Sequence, residues 1–254
     1  MSSPEEASLA LSVETHWEKA AKTRMGKYLT HLETNFISKS INLAKEGITV
    51  LDVGAEAGRF SLLATNSKAV VVSLDIDSYS LKRLKLKTKQ VNIIQADARK
   101  LPLKDEVFDA VFMIEVLDYI PELESALAEC KRTLKSDTSC ILSFGNKSSM
   151  KAKLKAMQGK SYRHSYRNVI HCLTKTGFVV LKKSGYSWLP FGRVSENRFV
   201  PILAGIERAF GLRKMITCHT NKIVNTVVGI ETTIISDSCT KIPISKFVII
   251  ELLT

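Results

Sequence analysis

No stretch of the 254-residue chain stays apolar for the roughly 20 positions that a membrane-spanning helix needs. The opening residues, MSSPEEASLALSVETHWEKAAK, carry acids early and no long apolar centre, so they do not read as a secretory signal. The five cysteines, Cys130, Cys140, Cys172, Cys218 and Cys239, are odd in number, widely spaced and free of any CxxC pair. That argues against both a disulfide framework and a cysteine-bound zinc, and fits a reducing compartment. The histidines fall at no metal-ligand spacing, so no metal is expected. Repeats and low-complexity segments are missing too. These absences leave a soluble, cytoplasmic protein as the expectation.

One further absence concerns charge. Between Thr138 and Ser195 there is no Asp or Glu, yet eleven Lys or Arg occur there, among them Lys147, Lys151, Lys153, Lys155, Lys175, Lys183 and Arg193. They account for much of the net charge of +12 and the pI near 9.5. Such a balance speaks about partners rather than fold. RNA, an acidic small molecule and an anionic membrane surface are all compatible with it, as is a plain solvated face. Tyr162 and Tyr166 stand among the basic residues, where stacking on bases is open to them. No recognised RNA-binding module accompanies them.

What is present is an alternation of strands and helices. Residues 13–45 read as one or two amphipathic helices, with Trp17, Met25, Tyr28, Leu29, Leu32 and Phe36 near helical spacing. Apolar runs at 48–53, 69–75, 91–96, 108–114 and 139–144 read as strands, with helices at 57–65, 78–89 (opened by a Ser cap) and 121–135 between them. Strands apolar along their whole length mean a parallel sheet covered on both faces. The expected fold is α/β, a Rossmann-like doubly wound sheet of about seven strands. It is mostly parallel, with an antiparallel C-terminal edge, N-terminal helices and a helical insertion after strand five. Residues 148–158, 165–176 and 196–211 read as helices, and 177–188, 225–236 and 244–253 as strands. We read residues 1–254 as one domain: N-terminal helices over 1–45, a core over 46–145, and a basic insertion with a C-terminal part over 146–254.

Ligands of such sheets bind beyond the carboxyl ends of the strands. The residues found there are Asp52, Gly54 and Gly58 after strand one, Asp75 after strand two, Asp97 and Ala98 after strand three, and Glu115, Asp118 and Tyr119 after strand four. A third glycine is missing from the first loop: VLDVGAEAGRF places Glu56 midway between Gly54 and Gly58. Gly54 can take backbone angles closed to other residues, and Gly58 would let a ligand approach the helix start. Asp75 can accept from both hydroxyls of a ribose.

In this order the segments VLDVGAEAGRFS, VVSLDID, IIQADARKLPLKDEVFDAVFMIEVLDYI and ECKRTLK with CILSF resemble the motifs of class I S-adenosylmethionine-dependent methyltransferases, in particular the small-molecule branch known as type 11. The resemblance spans about residues 45–145. It implies S-adenosylmethionine as cofactor, with Asp52, Gly54, Ala55, Glu56 and Gly58 around its methionine part. By the same resemblance Asp75 holds the ribose, Ile76 packs on the adenine, Asp97 and the Ala98 amide meet the adenine edge, and Ile114 and Glu115 lie beneath the sulfonium. Two departures stand out. Ser136-Asp137 replaces a Pro-Gly turn, and Glu56 replaces the middle glycine. A side chain there either points out of the pocket, toward the cofactor's ammonium group, or blocks the cofactor.

A sulfonium methyl is already activated, so alignment and exclusion of water can suffice for its transfer. Where the acceptor must lose a proton, Glu115 and Asp118 are candidate bases, with Tyr119 as a positioning group. Asp118 reads equally well as a cap before Pro121. His164 is a further candidate, although a solvent-exposed histidine is the plainer reading. The expected partner is a small-molecule acceptor, acidic if the basic stretch faces it. RNA methylation and a non-catalytic binding module are the rival readings.

Overall fold

The computed structural model describes residues 13–43, 45–147, 164–186, 191–210 and 247–253. In chain order they form α1 (His16–Lys22), α2 (Arg24–Ser40), β1 (Thr49–Val53), α3 (Arg59–Asn66), β2 (Val70–Asp75), α4 (Ser78–Lys87), β3 (Val91–Gln95) and β4 (Phe108–Ile114). A 3-10 turn (Leu117–Tyr119), α5 (Leu123–Thr133), β5 (Leu134–Gly145), α6 (Tyr166–Lys175), β6 (Val179–Tyr186), α7 (Val200–Ala209) and β7 (Phe247–Leu253) follow. The helix read at 148–158 and the strand read at 225–236 lie outside the described residues.

Five strands run parallel in the order β3-β2-β1-β4-β5. The inner strands β1 and β4 are buried on both faces. Along β4, Ala110, Phe112 and Ile114 join the core beneath α2 and α3, and Val111 and Met113 join the core beneath α5 and α6. That is why these strands read as continuous apolar runs. Beyond β5 the expectation of an antiparallel C-terminal edge needs correction. β7 is antiparallel to both neighbours but sits one place in, between β5 and β6, and β6 is the outer strand. There it satisfies a row of backbone groups on each neighbour, which an edge strand could do for one only.

Local chemistry sets the helix ends. Thr15 and Glu18 form a capping box at the start of α1. The cap of α4 is Asp77, not Ser78: its side chain accepts from the Tyr79 and Ser80 amides. Pro121 falls just before α5, which starts at Leu123. Pro201 stands in the first turn of α7, where its missing N–H costs nothing. Ser136-Asp137 is not a turn but lies within β5, with Asp137 at φ 57°, at an irregularity in the pairing of β5 with β4.

Candidate active site

The strand order reverses between β1 and β4, and a cavity of about 1090 Å³ opens at the carboxyl ends of the strands around that point. Asp52, Gly54, Ala55, Glu56, Asp75, Ile76, Asp97, Ala98 and Ile114 all line it, as do Glu115 and Tyr119. Two of the residues singled out from the sequence are not on its wall. Gly58 starts α3 at φ 87°, and a Cβ there would meet Leu84 Cδ1 of α4 at 2.1 Å. The space at Gly58 therefore serves helix packing rather than ligand approach. Asp118 turns to β5, where its Oδ2 accepts from the Gly145 amide at 3.0 Å, and it caps no helix.

The loop after β1 is held from beneath. The Gly54 and Ala55 amides both donate to the Leu74 carbonyl, at 2.7 and 3.0 Å. Glu56 adopts a left-handed conformation, with φ 50°. Its amide donates to Asp75 Oδ2 at 2.8 Å, and the Asp77 amide donates to Asp75 Oδ1 at 2.9 Å. The Glu56 carboxylate folds back so that Oε2 accepts from the Ala57 amide at 2.6 Å, while Oε1 is buried with no hydrogen-bond partner. Asp97 is gripped by the Arg99 guanidinium at 2.6–3.1 Å, and that contact lowers its pKa.

Asp52 is buried beneath the loop, and Ser61 Oγ donates to its Oδ2 at 2.5 Å. Burial pushes its pKa up to about 6, against the opposing pull of Ser61 and Arg59. The folded protein therefore holds a proton between about pH 4 and 6 that the unfolded chain has released. This group lowers stability as pH rises through that window, and its cost is complete above pH 6. Asp52→Asn is expected to be more stable than wild type at pH 7, by on the order of 1–3 kcal/mol, and equal to it near pH 4. Urea unfolding at the two pH values checks this, and a gain of the same size at both would refute it.

The wall residues Arg59, Trp17 and Glu18 carried no signal of their role in the sequence, unlike Glu115. Glu115 stands at the end of β4 at φ 62°, and its Oε2 meets Arg59 Nη2 at 3.4 Å and Arg193 Nη2 more closely. Both arginines also hold Glu33 of α2, Arg59 Nη1 at 3.2 Å and Arg193 Nη2 at 2.9 Å. Two cations and two carboxylates thus alternate in a largely buried group behind the cavity wall. The helix α1 forms another part of the wall. Its Glu18 pairs with Arg83 at 2.8 Å and Lys87 at 2.6 Å, both from α4. Burial raises the Glu18 pKa, but these two cations outweigh it and hold the carboxyl at about 2. Trp17 of α1 also lines the cavity. Partial burial and the carboxylates of Glu115 and Asp118 raise the pKa of Tyr119, which suits that phenol to positioning and not to accepting a proton.

His164 is buried rather than exposed. Its Nε2 lies 2.8 Å from the Ile120 carbonyl and must donate there, while Nδ1 lies 3.3 Å from the Asn168 amide. It ties the start of α6 to the segment after β4. Among the basic residues that are described, Lys175 pairs with Glu124 at 2.7 Å and Lys183 Nζ donates to the Tyr166 hydroxyl at 2.7 Å. Lys151, Lys153 and Lys155 lie outside the described residues. Among the described residues no cluster of His, Cys, Asp and Glu is arranged to hold a metal.

The family model described as a methyltransferase domain matches residues 51–142. Over those residues the chain is similar to methyltransferase domains. Over 103 residues it is 37% identical to the sterol methyltransferase-like 1 of Botryococcus braunii, across 37% of this chain and 26% of that protein. Over 151 residues it is 32% identical to the ubiquinone/menaquinone biosynthesis C-methyltransferase UbiE of Erwinia tasmaniensis, across 56% of this chain and 57% of that one. The chain therefore spans about a quarter of the first relative's length and a little over half of the second's. Among solved structures, the geranyl diphosphate C-methyltransferase of Streptomyces coelicolor A3(2), determined with Mg2+, geranyl diphosphate and S-adenosyl-L-homocysteine, superposes with a TM-score of 0.60. That superposition has 14% identity and covers 89% of this chain and 81% of the other. The chain thus shares the fold of that methyltransferase. Most of the matched segment, from β1 into β5, surrounds the cavity.

Proposed function

We propose that the protein transfers the methyl group of S-adenosylmethionine to a small, apolar acceptor bound in the same cavity. One observation carries this reading. The protein has a net charge of +12, yet the cavity wall bears eight carboxylates against five Lys and Arg side chains. An acid-rich cavity in a basic protein suits a cationic ligand, and a sulfonium with an ammonium group is one. Bound there, S-adenosylmethionine would supply a methyl electrophile that needs no further activation. Asp52, Gly54, Ala55 and Glu56 would surround its methionine part, Asp75 its ribose, and Ile76, Asp97 and Ala98 its adenine. Each Asp75 oxygen already accepts one backbone amide and keeps a further lone pair for a hydroxyl.

The chain's own contribution is alignment and exclusion of water. Ile114 and Glu115 would border the reacting centre. Glu115 is held in place by Arg59 and Arg193, and its Oε1 has no hydrogen-bond partner. It is our candidate to take a proton where the acceptor must lose one, with Tyr119 positioning the acceptor. The relatives named above are described by sterol, quinone and isoprenoid chemistry. Trp17, Phe60, Val116, Tyr119 and Ile120 on the wall support an apolar acceptor of that kind here. The carboxylates disfavour an acidic one, and the internal pairing of Lys175, Lys183 and Arg193 gives RNA no support. In this reading residues 46–145 serve the donor, and the flanks 1–45 and 146–254 serve the acceptor. The buried free thiols Cys130, Cys140 and Cys172 suit a reducing, cytoplasmic setting.

The rival is a binding module that Glu56 has closed to the donor. Calorimetric titration with S-adenosylhomocysteine separates the two. Wild type is expected to bind, and Glu56→Gln to bind more weakly by about 1 kcal/mol, for loss of a partly solvated charge contact. Glu56→Gly is expected to bind with stability near wild type, because relief of the left-handed backbone offsets a looser unfolded chain. Binding by the glycine variant alone would overturn the assignment.

A further inference from the structure

Helix α7 is apolar on two sides. Val200 and Leu203 pack into the core that α2 and α3 share, and Ala204 is buried beside them. On the outside, Phe199, Ile202, Ile206 and Phe210 are 49%, 60%, 43% and 74% exposed. Their spacing follows the helical period, so they form one stripe, with Gly205 and Ala209 exposed alongside. A contiguous stripe of large apolar side chains at the surface marks a contact face. The exposed acid before it, Glu196, is paired with Arg24. The only acid between Asn197 and Phe210 is Glu207, which is turned inward, buried, and accepts from the Tyr28 hydroxyl at 2.6 Å. Arg198 and Arg208 are both exposed, and the Arg198 guanidinium lies 5.3 Å from the Phe199 ring.

We propose that this face of α7 docks on an anionic lipid surface, lying in its plane with the apolar stripe inserted. An apolar stripe along one side, with Arg198 flanking it and Arg208 on the outward side, is the pattern of a helix that lies in the headgroup region. The net charge of +12 acts in the same direction over a longer range. A second copy of the chain is a poorer occupant, because a two-fold contact through this stripe would bring like-charged arginines together. The segment before α7 ties the face to the cavity wall, since Arg193 pairs with Glu115 and lies 5.5 Å from the Trp17 ring. Given the function proposed above, docking would hold the cavity close to a lipid phase that stores apolar acceptors. The docking itself stands on α7 alone.

Co-sedimentation of the full chain with vesicles tests it, using phosphatidylcholine alone and phosphatidylcholine mixed with phosphatidylglycerol. No methyl donor is added, so the outcome is independent of the donor titration. Wild type is expected to sediment with the mixed vesicles. The Ile202→Ser/Phe210→Ser variant should bind them at least tenfold more weakly, because two inserted apolar side chains are lost. Arg198→Gln/Arg208→Gln should lose most of the preference for the anionic lipid. Both sites are exposed, and unchanged circular dichroism confirms the fold of each variant. Absence of vesicle binding by wild type, or equal binding by the serine variant, would overturn the proposal. So would a wild-type dimer that the serine substitutions disperse.

Discussion

Glu33→Ala is expected to lower the free energy of unfolding by about 3–5 kcal/mol, the usual cost of removing one member of a buried ion pair. Glu33 sits on α2 with no solvent exposure. Its Oε1 lies 2.9 Å from Arg193 Nη2 and its Oε2 lies 3.2 Å from Arg59 Nη1. Without it the two guanidiniums share the single carboxylate of Glu115, and Arg193 is only 7% exposed. Water cannot replace the lost charge there. Glu33→Gln keeps the shape and one acceptor, so its loss should be smaller. Urea unfolding near pH 7 measures both. A loss under 1 kcal/mol for Glu33→Ala would mean that the group is solvated, and that Glu115 is held by something else.

That buried group also shows where the sequence stops being readable. The five parallel strands were legible because each reads as an apolar run. The strand-end residues could then be placed in sequence order around one cavity. Glu33 had no such signal, since a lone acid in an amphipathic helix reads as part of the solvated face. Arg193 was read as one of a basic run, yet it is buried against partners 78 and 160 positions away, Glu115 and Glu33. The capping box of Thr15 and Glu18 was written in the local sequence and marks where α1 begins. Only the ion pairs from Glu18 to Arg83 and Lys87 place that helix over the cavity. The position of β7 was hidden for a related reason: a strand pattern gives the two faces but not the neighbours. Glu56 was legible as a departure, but its left-handed backbone was not, because the amide contact with Asp75 spans 19 positions.

Gly54→Ala is expected to be the most damaging single methyl in the donor loop. Gly54 has φ 70°, where an added Cβ costs about 1–2 kcal/mol from the backbone alone. That Cβ would also stand 2.2 Å from Val116 Cγ2 and 2.9 Å from Cγ1. Valine is stiff about χ1, so the clash cannot be turned aside cheaply, and overpacking adds about 1–3 kcal/mol. The expected loss of stability is therefore roughly 2–5 kcal/mol. The loop is fixed to β2 by the Gly54 and Ala55 amides on the Leu74 carbonyl, so a shift that relieves the clash breaks those bonds. Binding of S-adenosylhomocysteine should fall with it. The control is Val116→Ala, which removes both clashing methyl groups. In the double variant the packing part should return, as a coupling of about 1–3 kcal/mol in a double-mutant cycle, while the backbone part remains. Gly54→Ala with wild-type stability and binding would refute this account of the loop. A full loss that Val116→Ala does not relieve would assign the whole effect to backbone strain and remove Val116 as the reason for this glycine.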